Sequence, residues 1–110
     1  MVKVLVKKLD PKATYAVALD PSMGTGGDYS AIQVYELPSY EQVAEWRHNT
    51  TPIPQQIRIL KDICKYIADD VPGSALYWSV ENNGIGEAAL LVIQDYGEEN
   101  IPGYFVSEPI

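Results

Sequence analysis

The sequence is poor in the residues that build disulfide frameworks and zinc clusters. Its 110 residues include one cysteine, Cys64, and one histidine, His48. A single cysteine cannot form an internal disulfide, and one cysteine with one histidine cannot supply the ligands of a structural zinc site. Because Cys64 falls on an apolar helical stripe, we interpret it as a small core residue. His48 has no obvious pairing residue nearby, so we interpret it as a surface side chain.

Long apolar runs and positive charge are also scarce. No segment approaches the ~20 apolar residues that span a bilayer, and no signal peptide opens the chain, which predicts a cytoplasmic location and no membrane partner. Eight Lys and Arg residues stand against 15 Asp and Glu residues, so the net charge is −7. Proteins that bind nucleic acid tightly usually collect Lys and Arg for the phosphates. The composition therefore argues against tight autonomous DNA binding, although a bound metal could supply positive charge locally.

The most informative stretch is Tyr15–Ala31, which reads YAVALDPSMGTGGDYSA. A short apolar run, typical of a buried strand, ends in the carboxylate of Asp20. A tight turn follows, and its glycines are Gly24, Gly26 and Gly27. Ligands bind at the carboxyl ends of strands in open α/β sheets, and an acid there is costly unless it is paired or holds a metal. Asp20 is therefore the first candidate for a chemical role.

A second apolar run, Leu76–Glu81, repeats this pattern, because it also ends in a carboxylate and is followed by a turn with Asn82 and Gly84. If the two strands are adjacent and parallel, Asp20 and Glu81 lie side by side. Two carboxylates at that distance repel each other unless a cation lies between them, and hard oxygen ligands suit Mg²⁺ or Mn²⁺. The structural alternative is that Asp20 caps the following turn and Glu81 is a solvated strand end.

Periodicity and turn residues predict the remaining elements. The predicted strands are Tyr15–Leu19, Ser30–Leu37, Glu41–His48, Leu76–Glu81 and Tyr104–Val106. The predicted helices run from a Thr51 N-cap to about Ala68 and over Gly86–Tyr96. A helix is the rival for Glu41–His48, because Gln, Ala and Glu favour helix. The order β-β-β-α-β-α-β predicts one α/β domain over residues 1–110, with a mixed five-stranded sheet and helices on its faces, and residues 1–13 as an edge strand or a linker.

The motif D-P-S-x-G-x-G-G-D-Y-S-A, followed in order by V-E-N-N-G-x-G, resembles the nuclease domain of the phage terminase large subunit. The resemblance covers the chain from about Tyr15 onward. It implies a ribonuclease H-like three-layer fold and a two-metal site for Mg²⁺ or Mn²⁺ on Asp20 and Glu81. It also implies cleavage of concatemeric viral double-stranded DNA during genome packaging in the host cytoplasm. The implied partners are a terminase ATPase domain, the portal and the small terminase subunit.

The sequence departs from the family pattern near its end. The family carries a third metal-binding Asp on a helix after the fifth strand, and Ile110 comes before any such residue. We therefore expect a domain truncated at its C-terminus that cleaves DNA weakly or not at all. Asp28, in the same loop as Asp20, is the candidate to replace the third ligand or to contact and orient one of the metal ligands. Its structural alternative is a turn or cap residue.

Two other functions compete with the nuclease. One is a non-catalytic binding or assembly domain that keeps the ribonuclease H-like fold, which the short C-terminus and the net charge favour. The other is half of an actin-like or sugar-kinase-like ATPase, which also opens with a strand, an Asp and a glycine turn. The chain contains no G-x-x-x-x-G-K-[ST] loop, and Gly24–Gly27 lacks the Lys and the following helix that such a loop needs.

Overall fold

The computed structural model describes residues 2–4, 8–81 and 84–106. We number the strands β1 to β6 and the helices α1 and α2 in chain order. The strands are β1 (Val2–Val4), β2 (Thr14–Asp20), β3 (Ser30–Leu37), β4 (Glu41–His48), β5 (Leu76–Val80) and β6 (Tyr104–Phe105). The helices are α1 (Ile53–Asp70) and α2 (Gly86–Tyr96), with a 3₁₀ turn over Glu98–Asn100.

All the strands join one mixed sheet in the order β1-β4-β3-β2-β5-β6. β2, β3 and β4 run antiparallel to one another, whereas β5 pairs parallel to β2 and β6 pairs parallel to β5. The five predicted strands and the α/β class are confirmed, and β1 adds a sixth strand at the edge beside β4. Glu41–His48 is a strand, because it pairs along its length with β3 in a hairpin, and Val43 and Trp46 are buried on the core face.

One face of the sheet forms the core. Along β2 the buried side chains are Tyr15, Val17 and Leu19, and the residues between them are only half-buried. α1 and α2 contact each other and both contact β5, and their apolar residues belong to the same core cluster. Both helices therefore cover the same face. Of the three layers that the resemblance implies, the described residues form the sheet and one helix layer.

The start of α1 differs from the prediction. The N-cap is Pro52 rather than Thr51, and no side chain caps the helix. The Thr51 hydroxyl lies 2.8 Å from His48 Nδ1 instead, and the Thr51 carbonyl accepts a hydrogen bond from the Gln56 side chain. Thr51 is thus used to hold the preceding turn in place. The His48 side chain is exposed and contacts Thr50 and Thr51, as predicted for a surface histidine.

The apolar stripe of α1 includes Cys64, which is fully buried. Burial raises the pKa of the Cys64 thiol to about 12. The thiolate is the reactive form of cysteine, so this thiol is inert at neutral pH, as the prediction of a core residue requires. Among the described residues, no helix is long and apolar enough to cross a membrane.

Candidate metal and DNA site

The strand register places four residues in one row across the open end of the sheet. Asp20 of β2 pairs with Ala31 of β3, and Ala31 pairs with Arg47 of β4. On the other side of β2, the backbone N–H of Glu81 donates a 2.8 Å hydrogen bond to the Leu19 carbonyl, one residue beyond the Leu19–Val80 pair. The row is therefore Glu81, Asp20, Ala31 and Arg47.

This row lies on the face of the sheet opposite the core. One residue away along each strand, Leu19, Ile32 and Trp46 form the neighbouring row, and all of them are buried. Successive side chains on a strand point to opposite faces, so the row of Asp20 and Arg47 faces away from the helices. Glu81 and Arg47 are exposed and Asp20 is half-buried, which leaves this row open to a ligand.

An open cleft of about 510 Å³ adjoins the row. Its described lining comes from the end of β2, the loop of residues 21–29 that we call the glycine loop, β4, and the residue before α2. The lining residues are Asp20, Pro21, Ser22, Gly27, Asp28, Tyr29, Arg47 and Ile85. Asp20 and Asp28 thus face the same cleft. Glu81 stands beside Asp20 in the row but outside this described lining.

The glycine loop is fixed against the connection between β4 and α1. Gly24 has φ +74°, and a Cβ built on it would lie 2.3 Å from the Thr51 carbonyl oxygen. The Gly26 N–H donates to the Asn49 carbonyl at 2.9 Å, and the Asn49 side chain donates back to the Gly26 carbonyl at 3.2 Å. Only glycine permits the close approach at Gly24. These contacts determine the path of the chain immediately after Asp20.

A buried amide, Gln56 of α1, anchors the same turn. Its Nε2 donates to the carbonyl oxygens of Ser22 and Thr51, both at 2.8 Å, and its Oε1 accepts from the Ser22 N–H at 3.3 Å. Gln56 has no exposed surface. Buried polar groups are costly when they lack partners, so this network stabilises one conformation of the turn. Gln56 is therefore a positioning residue for Asp20.

Replacing Gln56 with Leu should destabilise the fold by about 2 kcal/mol, because the substitution leaves the Ser22 N–H and two carbonyls without their partner. Chemical denaturation followed by circular dichroism measures the free energy of unfolding. Gln55 is the neighbouring exposed glutamine on the same helix, and Gln55→Leu should leave the stability nearly unchanged. Equal effects of the two substitutions would show that the Gln56 network is unimportant.

The donors at this edge suit a hard cation only in part. Asp20 and Glu81 are neighbours in the backbone row, and both carry a carboxylate, the ligand type that Mg²⁺ and Mn²⁺ prefer. Among residues 2–4, 8–81 and 84–106, however, no group of three or more His, Cys, Asp or Glu residues is arranged to hold a metal ion. These two residues fit a cation that takes its remaining ligands from water or from outside the described chain. Asn82 lies outside the described residues, and Gly84 has φ +92° in the turn before α2.

Sequence reasoning identified the carboxylates and glycines of this edge but missed Gln56, Tyr29 and Arg47. Gln56 carried a usable signal, since it occupies a core position on the apolar stripe of α1. Tyr29 follows Asp28 directly, but nothing local marks it as a partner of Arg47. Their pairing depends on the register of β3 and β4, which the sequence pattern does not specify.

The sheet order, with an acid at the end of its central strand, defines a ribonuclease H-like fold. Within that class the chain is similar to solved structures of the large terminase nuclease from thermophilic phage G20c. The magnesium-bound form aligns with a TM-score of 0.68 at 20% identity, covering 96% of this chain and 49% of that chain. The zinc-bound form gives a TM-score of 0.66 at 20% identity, covering 96% of this chain and 54% of that one.

The chain spans about half the length of the solved nucleases that it matches. At this level of identity the likeness shows the fold that the sequence motifs implied. No family model matches the chain, and no curated protein matches it in sequence.

Proposed function

We propose that this chain is the core of a divalent-metal-dependent DNA endonuclease of the terminase type, which cuts concatemeric viral DNA during genome packaging. The observation that carries the proposal is the adjacency of Asp20 and Glu81 on neighbouring parallel strands. The G20c nuclease, which has the same fold, was solved with bound magnesium, zinc and cobalt. The corresponding partners are double-stranded DNA, a terminase ATPase domain, the portal and the small terminase subunit, in the host cytoplasm.

In this proposal Asp20 and Glu81 hold Mg²⁺ or Mn²⁺, in a two-metal site once a third acidic ligand is supplied. When bound, such ions polarise the phosphate and lower the pKa of water. In the overall reaction, water forms a new bond to phosphorus and one phosphate ester bond breaks, which leaves a hydroxyl end and a phosphate end. Gln56 and Gly24 keep Asp20 in position by fixing the turn that follows it.

The glycine loop supports the nuclease over an ATPase half-domain. In phosphate-binding loops the backbone N–H groups are directed at the nucleotide. Here the Gly24 N–H donates to the Ser22 hydroxyl at 3.3 Å, and the Gly26 N–H donates to the Asn49 carbonyl. Both amides are therefore already used within the protein. The non-catalytic alternative is supported because no third acid joins Asp20 and Glu81 among the described residues. The nicking assay distinguishes it from the nuclease.

Incubation of the purified chain with supercoiled plasmid and Mn²⁺ tests the proposed function. We expect nicking to be slow at best, because two carboxylates, the number that the described residues bring together, hold the ions and the phosphate only loosely in the reacting geometry. Residual nicking should disappear in the Asp20→Asn, Glu81→Gln double variant. Asp28→Asn should nick like the wild type, because Asp28 completes no three-ligand group among the described residues.

Three outcomes are informative in this assay. Nicking by the wild type that persists in the double variant would contradict the assignment of Asp20 and Glu81. Robust nicking that depends on Asp28 as well would mean that Asp28 completes the site. Complete inactivity of the wild type, combined with no binding of Mn²⁺, would favour the non-catalytic domain.

A further inference from the structure

We infer that Arg47, held on the ring of Tyr29, binds a backbone phosphate of the DNA that enters the cleft; this inference rests on the proposed function. Arg47 is the one positively charged residue among the described residues that line the cleft. Its Cζ atom lies 4.2 Å from the centre of the Tyr29 ring. Both residues are exposed, so a ligand in the cleft can reach them.

The guanidinium of Arg47 contacts the Tyr29 ring, although the carboxylates of Asp20 and Asp28 line the same cleft. Among the described residues, Arg47 forms no ion pair with an Asp or Glu, and its ring contact is with Tyr29. Stacking uses the flat face of the guanidinium, whereas its N–H donors point outward along the edge. The N–H donors of Arg47 are thus available for an anion. Such donors bind carboxylate or phosphate in a bidentate manner, and phosphate is the anion that the DNA of the proposed function supplies.

The fold holds this pair in place. The Ser30 hydroxyl donates a 2.9 Å hydrogen bond to the His48 carbonyl, next to the Ala31–Arg47 pair. Tyr29 precedes Ser30 directly, so the same link brings Tyr29 against Arg47. Since cation–π contacts restrain the long arginine side chain before a ligand arrives, less entropy is lost on binding.

The position of Arg47 in the row fits a strand of DNA that also reaches Asp20. Two strand spacings separate the backbones of Asp20 and Arg47, which is about 10 Å. The residue between them is Ala31, whose small side chain leaves the path open. A polynucleotide lying along the row would place one phosphate near the carboxylates Asp20 and Glu81 and a neighbouring phosphate on Arg47. In a chain of net charge −7, this local cation compensates for the general repulsion of DNA.

The test is fluorescence anisotropy of a short labelled DNA duplex titrated with the full 110-residue chain in Mn²⁺ at several salt concentrations. Arg47→Gln should weaken binding about tenfold and lower the slope of log K against log salt by about 0.9, the value for one lost phosphate contact on duplex DNA. Arg58→Gln is the matched control. Arg58 is exposed on α1, outside the described lining of the cleft, and its replacement removes the same charge.

Variants of Tyr29 test whether DNA binding requires the Tyr29 ring to hold Arg47 in position, or only the positive charge of Arg47. Tyr29→Phe keeps the ring and should bind DNA like the wild type. Tyr29→Leu removes the ring, and Arg47 can then turn toward the carboxylates of the cleft, so binding should weaken about threefold to tenfold without any change of net charge. Arg47→Lys should recover part of the affinity, because it restores the charge without the planar edge.

Equal binding by Arg47→Gln and Arg58→Gln would overturn the inference, as would a wild type that does not bind the duplex at all. The melting temperatures of the variants identify any loss that is due to unfolding, and Arg47→Lys then supplies the comparison in a folded protein. The proposed function fails separately: it fails if Asp20→Asn binds Mn²⁺ like the wild type, whatever the Arg47 variants do.

Discussion

Replacing Asp20 with Asn should reduce Mn²⁺ binding by the chain to below detection. The described site offers two carboxylates, and the substitution removes one of them along with its charge. Residues that only support metal ligands typically cost about 10- to 100-fold in metal affinity when they are changed. Loss of a directly coordinating carboxylate from a site with so few ligands should lower the metal affinity by at least as large a factor. Even the wild type should bind Mn²⁺ weakly, because water must supply the remaining coordination.

Isothermal titration calorimetry with MnCl₂ measures this effect. Glu81→Gln should behave like Asp20→Asn. Asp69→Asn is the control for net charge, because Asp69 is exposed at the end of α1 and pairs with Lys65 at 2.8 Å. Asp28→Asn should retain binding. Affinity that is equal in the wild type and Asp20→Asn would show that the ion binds elsewhere.

Replacing Gly24 with Ala should lower the free energy of unfolding by about 3 kcal/mol, the largest stability effect that we expect from a single methyl group in this loop. The left-handed conformation costs a non-glycine residue about 1–2 kcal/mol. The new Cβ would also lie 2.3 Å from the Thr51 carbonyl oxygen and 2.8 Å from its carbon, so the backbone must shift. That shift would move the turn after Asp20, so Mn²⁺ affinity should fall together with the stability.

Substitutions of the other two glycines in the loop distinguish the cost of the left-handed conformation from the cost of the steric overlap with Thr51. Gly26 has φ +96° but no atom within 4 Å of a built Cβ, so Gly26→Ala should cost only the conformational term of about 1 kcal/mol. Gly27 also has open space and does not have a positive φ, so Gly27→Ala should change the stability by less than about 0.5 kcal/mol. Urea denaturation of the three variants gives the ranking. Three equal values would contradict the steric role of Gly24.

The sequence predicted the parts of this edge that depend on local patterns. Asp20 and Glu81 each end an apolar run before a glycine turn, and strands with that pattern meet at one edge of a parallel pair. The structure places them beside each other, as the pattern predicted. Their roles as metal ligands remain a prediction, because adjacency alone does not show a bound ion.

The other residues depend on contacts that no local pattern encodes. The side chain of Gln56 reaches Ser22, which is 34 residues earlier in the chain. Arg47 reaches the open face because the register of β3 and β4 shifts between Val34 and Tyr35. Without that extra residue in β4, the hairpin would pair Arg47 with Ser30, which is buried on the core face. A shift of one residue exchanges the faces of a strand, and simple alternation does not show where the shift occurs.

The most direct test of a metal site on Asp20 and Glu81 is crystallographic. Crystals of the chain soaked in MnCl₂ and measured with X-rays above the manganese absorption edge show each bound ion as an anomalous peak. We predict a peak within coordinating distance of the carboxylates of both Asp20 and Glu81, and no such peak in crystals of Asp20→Asn. An ion bound away from this edge, or a wild-type edge that stays empty at saturating Mn²⁺, would contradict the assignment.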